Sequence, residues 1–131
     1  MTGAGSYALE LEGTPGAALA ARRALLARQS ALPDTVRDDV LLLMTELVTN
    51  AVRHADAAPD RMVRLEVRQQ RGAVRVSVCD EGPGFEPEAT SSSPDGAGGW
   101  GLVLVDRIAD RWAVTRTATG ACVWFEIRYE E

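Results

Sequence analysis

The chain has 131 residues, of which 46% are hydrophobic and 25% charged, so it is long enough for one domain with a real core and too apolar to be disordered. Its formal net charge of -5 argues against a nucleic-acid partner, because phosphate binding needs a basic surface. All 14 basic residues are arginine, which excludes the lysine of a P-loop, of a protein-kinase strand and of a Schiff base.

The first part of the chain predicts one strand and two helices. Residues 6–12 alternate apolar and polar side chains, as a half-buried strand does. Residues 17–29 are rich in alanine, leucine and arginine and predict a helix. A second helix is expected to begin near Pro33 and Asp34, where proline suits the first turn and the acid favours the positive end of the helix dipole, and to end before Pro59.

The rest of the chain predicts two hairpins and a shorter helix from the same rules of periodicity. The predicted strands are 61–69, 74–79, 112–117 and 121–129, and the predicted helix is 102–110. We therefore expect a single domain over residues 1–131, an α/β (α+β) two-layer sandwich. About three helices would cover one face of a mixed, mostly antiparallel sheet. The arginines Arg64, Arg68 and Arg75 would line its open face, as a solvated surface or, alternatively, as a partner-docking surface.

Cys79 and Cys122 lie far apart in the sequence, each inside an apolar, strand-like run. Because disulfides are rare in a reducing cytoplasm, we expect two buried free thiols rather than a bond between them. The N-terminus lacks the basic region and apolar core of a signal peptide, and no apolar run is long enough to span a membrane. These features predict a cytoplasmic protein with no membrane partner.

The second predicted helix carries an acid, a carboxamide and a cation on one side. At about 100° per residue, Asn50 lies about 40° from Glu46, and Arg53 lies about 20° to the other side of Glu46. The opposite face is apolar and should pack on a core. Glu46 and Asn50 are either part of a solvated face or a site where the Asn50 oxygen holds a divalent cation beside a Glu46 base. His54, the single histidine, is more typical of a helix surface than of a metal site.

The longest irregular stretch, residues 81–101, is rich in glycine and ends where the next helix is expected to begin. Loops of this length in a compact domain are usually functional, and a helix N-terminus favours an anion. The run from Gly96 to Gly101 matches the dinucleotide pattern G-x-G-x-x-G. No strand precedes it and no acid follows at the required distance, so a dinucleotide site is rejected.

Three segments, taken together, resemble the nucleotide-binding boxes of the GHKL ATPase superfamily. They are E-x-x-x-N from Glu46 to Asn50, D-x-G-x-G from Asp80 to Gly84, and the glycine-rich segment that leads into Leu102. Within the superfamily, the run E-L-V-T-N-A at 46–51 is similar to that of small bacterial anti-sigma-factor serine kinases. The resemblance implies an ATP site with Mg²⁺ in a histidine-kinase-like fold.

The resemblance also implies a role for each matching residue. Asp80 would accept a hydrogen bond from the adenine amine, and Gly82 and Gly84 would let the backbone pass close beneath the base. Asn50 would hold Mg²⁺ against the triphosphate, while Glu46 would act as the base toward a hydroxyl or water.

The triphosphate would be held by backbone donors and by cations. The residues at the end of the glycine-rich segment implied to serve it are Gly98, Gly99, Gly101 and Leu102. Arg53 and His54 occupy positions where the family often has cations near phosphates, so each either contacts phosphate or lies in solvent.

The resemblance implies an ATP-dependent serine/threonine kinase that phosphorylates an anti-anti-sigma (STAS-type) protein and sequesters a sigma factor. One alternative is a nucleotide-dependent binding module with little or no catalysis, and another is a domain whose glycines serve turns only. Relatives of this kind commonly pair through the first strand and helix. Tyr7, Leu9 and Leu11 therefore either form a homodimer interface or complete the sheet.

Overall fold

A computed structural model describes residues 6–28, 32–54, 62–80, 102–117 and 120–130. In this part of the chain five strands and three helices follow one another as β1 (Tyr7–Glu12), α1 (Ala17–Arg28), α2 (Asp34–His54), β2 (Met62–Gln70), β3 (Ala73–Asp80), α3 (Val103–Ile108), β4 (Arg111–Thr117) and β5 (Gly120–Arg128). Each predicted element is found, and apart from the end of α2 the bounds lie within two residues of those expected. α2 is described to His54 and so ends before Pro59 as expected.

The strands form one sheet in the order β1-β2-β3-β5-β4, and each neighbouring pair is antiparallel. α1 packs on α2, and α2 packs across β2, β3 and β5. The expected two-layer α+β sandwich is confirmed, with an antiparallel sheet. In the described part of the chain, no helix combines the length and apolar character needed to cross a membrane.

The core lies between the helices and one face of the sheet. The sheet contributes the side chains on that face, which are every second residue along a strand. On β2 and β3 every second residue is buried, beginning with Val63 and Val74. On α2 the side chains that meet them include Leu43, Met44 and Leu47, which are fully buried. Burial of these apolar side chains at about 25 cal/mol per Å² holds the two layers together.

A two-residue turn joins β2 to β3 and sets their register. Gly72 has a positive φ of 71°, a backbone angle that residues with a Cβ adopt only at a cost in free energy. Its carbonyl oxygen accepts a hydrogen bond of 2.9 Å from the Tyr129 amide. A Cβ at this position would lie 3.3 Å from the Tyr129 carbonyl oxygen, which is a tight contact, so the backbone angle is the main reason for glycine here.

The open face of the sheet carries the predicted arginines, and they are ion-paired. Arg75 and Arg111 lie directly across from Glu126 on its two neighbouring strands, and they approach it to 3.3 and 3.8 Å. The Arg75 guanidinium also stacks 4.0 Å from the Trp124 ring centroid. Arg68 similarly pairs with Glu66 at 3.3 Å. These pairs fit the interpretation of the open face as a solvated, charged surface.

The expectation of free thiols is wrong. Cys79 and Cys122 form a disulfide, and the described residues include no free cysteine. They are direct cross-strand partners on β3 and β5, with Cα atoms 4.0 Å apart, as in a non-hydrogen-bonded antiparallel pair. Both are half-buried, because they share the open face of the sheet with Arg75 and Trp124.

Candidate functional site

The acid, the carboxamide and the cation that the sequence places on one side of α2 differ in burial. Asn50 is only 5% exposed, Glu46 is half-buried and Arg53 is exposed. Asn50 follows the fully buried Leu43 and Leu47 by seven and three residues, so it lies at the border of the packed face. Asn50 is therefore not opposite the apolar face, where the sequence placed it, and of the two alternatives given for Asn50 the solvated face does not hold. Moving around the helix from Arg53 through Glu46 to Asn50, the side chains pass from solvent into the interior.

Asp80 ends the central strand β3 and is 7% exposed. Strand alternation places it on the same face as the buried Val76 and Val78, toward the helices. Its neighbours on the adjoining strands are Val63 and Ala121, both buried. The carboxylate is thus placed among small apolar side chains at the helix-facing side of the sheet.

Buried polar side chains are few, which makes their positions informative. In the described part of the chain, the buried polar or charged residues are Asn50, Asp80 and Glu126. Glu126 belongs to the arginine pairs of the open face, whereas Asn50 and Asp80 belong to the interface between α2 and β3. Burial of such groups is costly unless polar partners satisfy them, and both residues make polar interactions. The fold brings these two predicted site residues to one side of the sheet.

Leu102 precedes α3 and is 1% exposed. Its carbonyl oxygen accepts a 2.9 Å hydrogen bond from the Asp106 amide, and the Asp106 carboxylate accepts one of 2.9 Å from the Trp112 indole. Val105 adds a buried apolar contact. The buried side chain of Leu102 anchors the start of α3 in the core.

The other predicted contacts involve residues or side chains outside the described part of the chain. The glycines Gly82, Gly84, Gly98, Gly99 and Gly101 lie outside the described residues. The backbone of His54 ends α2, but its side chain lies outside the description. Their contacts with a nucleotide stay predictions.

The disulfide that adjoins this site was not predicted from the sequence. Cys79 directly precedes Asp80, and Cys122 directly follows Ala121, the partner of Asp80 on β5. The alternation of β3 contained the signal, because it places Cys79 with Arg75 and Ser77 rather than with the core valines. A cysteine on the wet side of a strand is a poor candidate for a buried thiol.

Comparisons with known proteins give one positive result. No curated protein matches the chain. A family model described as a histidine kinase-like ATPase domain matches residues 8–127. The match covers most of the chain and includes α2, β3 and every candidate site residue. The chain therefore belongs to the histidine kinase-like ATPase domain family.

Proposed function

We propose that this protein is an ATP- and Mg²⁺-dependent regulator, an anti-sigma-factor-like serine/threonine kinase that phosphorylates an anti-anti-sigma (STAS-type) partner. Membership of the family implies ATP binding. The observation that carries the proposal is the burial of Asn50 and Asp80 on the helix-facing side of the sheet. A carboxamide and a carboxylate there are the two polar groups that the superfamily motifs assign to Mg²⁺ and to adenine.

Asp80 has the chemistry required to select adenine. An ionised carboxylate only accepts hydrogen bonds, so it favours the exocyclic amine of adenine over the carbonyl oxygen of guanine. The side chains of its cross-strand neighbours Val63 and Ala121 are apolar. Small apolar side chains beside one oriented polar group are typical of ligand sites.

Asn50 has the chemistry required of a Mg²⁺ ligand. Mg²⁺ takes oxygen ligands, and in nucleotide sites it is held by one or two protein oxygens together with phosphates and water. Mg²⁺-ATP, when bound, supplies the phosphoryl group and neutralises charge on it. The position of Asn50 on a packed helix face gives its amide a fixed orientation, which favours a defined ligand geometry.

Glu46 is the proposed general base. It lies one helical turn before Asn50 and is half-buried, so a hydroxyl from a docked partner can reach it. It would take the proton of a serine or threonine hydroxyl as that oxygen attacks phosphorus. Arg53, exposed one turn further, would contact phosphate or the partner.

A homodimer through β1 and α1 is part of the proposal. Leu11 is buried in the core, whereas Tyr7 and Leu9 are half-buried on the edge strand. On α1, Leu19 and Leu26 are 51% and 52% exposed. Seven residues apart, they lie on one helix face and offer an apolar surface to a second copy. Light scattering of a Leu19→Arg/Leu26→Arg variant should show loss of the dimer. A wild-type protein that is monomeric both with and without ATP would contradict the proposed dimer.

Phosphotransfer from labelled ATP to candidate partners encoded by neighbouring genes tests the proposal. The wild type should label a serine or threonine of one partner. Glu46→Ala should bind ATP nearly normally and transfer about 10² to 10⁴ times more slowly, because a general base is worth that much. Asp38→Ala, which removes an exposed acid from the same helix, should transfer at the parental rate.

The results separate the kinase from a binding module. ATP binding without transfer to any sigma-related partner, together with partner capture that differs between ATP and ADP, would replace the kinase with a nucleotide-controlled binding protein. Parental transfer by Glu46→Ala would remove the role of Glu46. An absence of adenine nucleotide binding in calorimetry would overturn the proposed function as a whole.

A further inference from the structure

We propose that the Cys79–Cys122 disulfide is a thiol–disulfide exchange site that sets the affinity of the adjoining nucleotide site, with a low-molecular-weight thiol as its reductant. The inference rests on the proposed function, because the site that it controls is the ATP site containing Asp80. The oxidised protein binds ATP more tightly than the reduced protein.

The disulfide and Asp80 occupy consecutive rungs of the same strand pair. Cys79 is paired with Cys122, and Asp80 is paired with Ala121. Because consecutive strand residues point to opposite faces, the sulfurs lie on the open face and the Asp80 carboxylate lies on the helix-facing side. A thiol can therefore reach the disulfide without entering the nucleotide site. Both cysteines are half-buried rather than buried, which leaves them accessible to a small thiolate.

The disulfide joins a strand pair that has no local turn. β2 and β3 are separated by two residues, and so are β4 and β5, so each pair is held at one end by its own connection. β3 and β5 are neighbours in the sheet, but 39 residues lie between Asp80 and Gly120, where β3 ends and β5 begins. At this end of the pair, backbone pairing and the disulfide hold Asp80 against β5. Asp80 is also paired with Val63 on β2, so loss of the covalent bond loosens its rung on the β5 side while β2 still holds the other side. Strand ends open locally more often than strand centres, and we expect this rung to open more often in the reduced protein.

Reduction would proceed by ordinary thiol–disulfide exchange. A thiolate of the reductant attacks one protein sulfur, a mixed disulfide forms, and the other cysteine leaves as a thiolate. A second reductant thiol resolves the mixed disulfide. In sum, two electrons pass from two small thiols to the protein, the protein gains two cysteine thiols with the two protons, and the small thiols become one disulfide.

The coupling between the two sites must be reciprocal. If reduction weakens ATP binding by a given factor, saturating ATP shifts the thiol–disulfide equilibrium toward the disulfide by the same factor. Couplings between distinct sites in proteins begin at about fivefold. We expect at least that loss of ATP affinity on reduction.

Calorimetry of ATP binding to the oxidised and the reduced full chain tests the inference. Glutathione buffers of known ratio set the redox state, and alkylation with mass measurement counts the free thiols. The reduced protein should bind ATP at least about fivefold more weakly. Cys79→Ser/Cys122→Ser is the matched control, which should bind like the reduced protein and should not respond to the buffer. Amide hydrogen exchange at Asp80 and Ala121 should be faster in the reduced protein.

The outcomes distinguish this inference from the proposed function. Equal ATP affinity in the two redox states, or two free thiols after equilibration with oxidised glutathione, would overturn the inference and leave the ATP site intact. If neither form binds ATP, the proposed function fails. If the amide hydrogen exchange of Asp80 is the same in the oxidised and the reduced protein, the structural basis of the inference is removed.

Discussion

Replacement of Tyr7 by phenylalanine should protect the protein against alkaline unfolding. The Tyr7 hydroxyl on β1 is buried and has no hydrogen-bond partner among the described residues. Burial raises the pKa of Tyr7 from 10.0 to about 12, and the Arg28 guanidinium, 5.0 Å from the ring centroid, opposes part of this rise. The neutral hydroxyl is therefore favoured in the folded chain.

The sign and size of the effect follow from proton linkage. Below pH 10 Tyr7 carries its proton in both the folded and the unfolded chain, and between pH 10 and about 12 only the folded chain keeps it. The contribution of the Tyr7 proton to the free energy of unfolding is thus complete below pH 10 and is lost as the pH rises through 12. A rise of this size corresponds to about 2.7 kcal/mol at most. Because the ring is only partly buried, solvent screening reduces the expected loss to about 1 to 2 kcal/mol.

Urea unfolding at pH 9 and at pH 11.5 measures this loss. The wild type should lose about 1 to 2 kcal/mol more than Tyr7→Phe between the two values. The interval is favourable because the chain has no lysine, so no ammonium group titrates there. Tyr129→Phe is the matched control, which leaves Tyr7 as the single tyrosine. Its tyrosinate absorbance should rise with a midpoint near 12. A midpoint near 10 in this variant, or equal alkaline losses in wild type and Tyr7→Phe, would refute the reasoning.

Substitutions in the nucleotide site and in the β2–β3 turn should each fail in a distinct way. Calorimetry should show that ATP binds far more tightly than GTP, and equal affinities for the two nucleotides would contradict the role of Asp80. Asp80→Asn should weaken ATP binding by about 1.5 to 3 kcal/mol, the value of a charged hydrogen bond. Asn50→Ala should reduce the Mg²⁺ dependence of nucleotide binding, whereas Thr49→Ala, at the exposed neighbouring position, should not. Chemical denaturation should show Gly72→Ala destabilised by about 1 to 2 kcal/mol through its positive φ. The control Gly16→Ala, where a new Cβ meets no atom closer than 3.9 Å, should be nearly neutral, and equal effects at the two glycines would contradict the argument.

Periodicity predicted the fold because alternation and helical spacing directly report which face of an element is buried. The strands β2 and β3 show this well, since every second residue is buried as expected. Helical spacing was less informative on α1. Leu19 and Leu26 are spaced at helical intervals yet are half-exposed, and Ala21 and Leu25 supply the buried contacts. In an alanine-rich helix, small residues pack closely and the larger side chains need not face the core.

The candidate site was predicted from residue types, but its burial was not. Helical spacing places Asn50 beside Leu43 and Leu47 as well as beside Glu46, but how deeply each of them is buried depends on how α2 packs on the sheet. The disulfide required the register of β3 and β5, which are far apart in sequence. Two cysteines 43 residues apart become neighbours only once the sheet order is known.

The strand order also has a kinetic consequence. Besides the edge strand β1, the sheet consists of two local hairpins, β2–β3 and β4–β5, that meet along the seam between β3 and β5. Asp80 and Cys79 both lie on this seam. Local hairpins close quickly, whereas contacts between distant segments must first overcome the entropy of loop closure. In the reduced chain, where no disulfide closes this loop beforehand, we expect the seam to form late in folding, after the transition state. A ligand that binds Asp80 at the seam would then slow unfolding while it leaves the folding rate nearly unchanged.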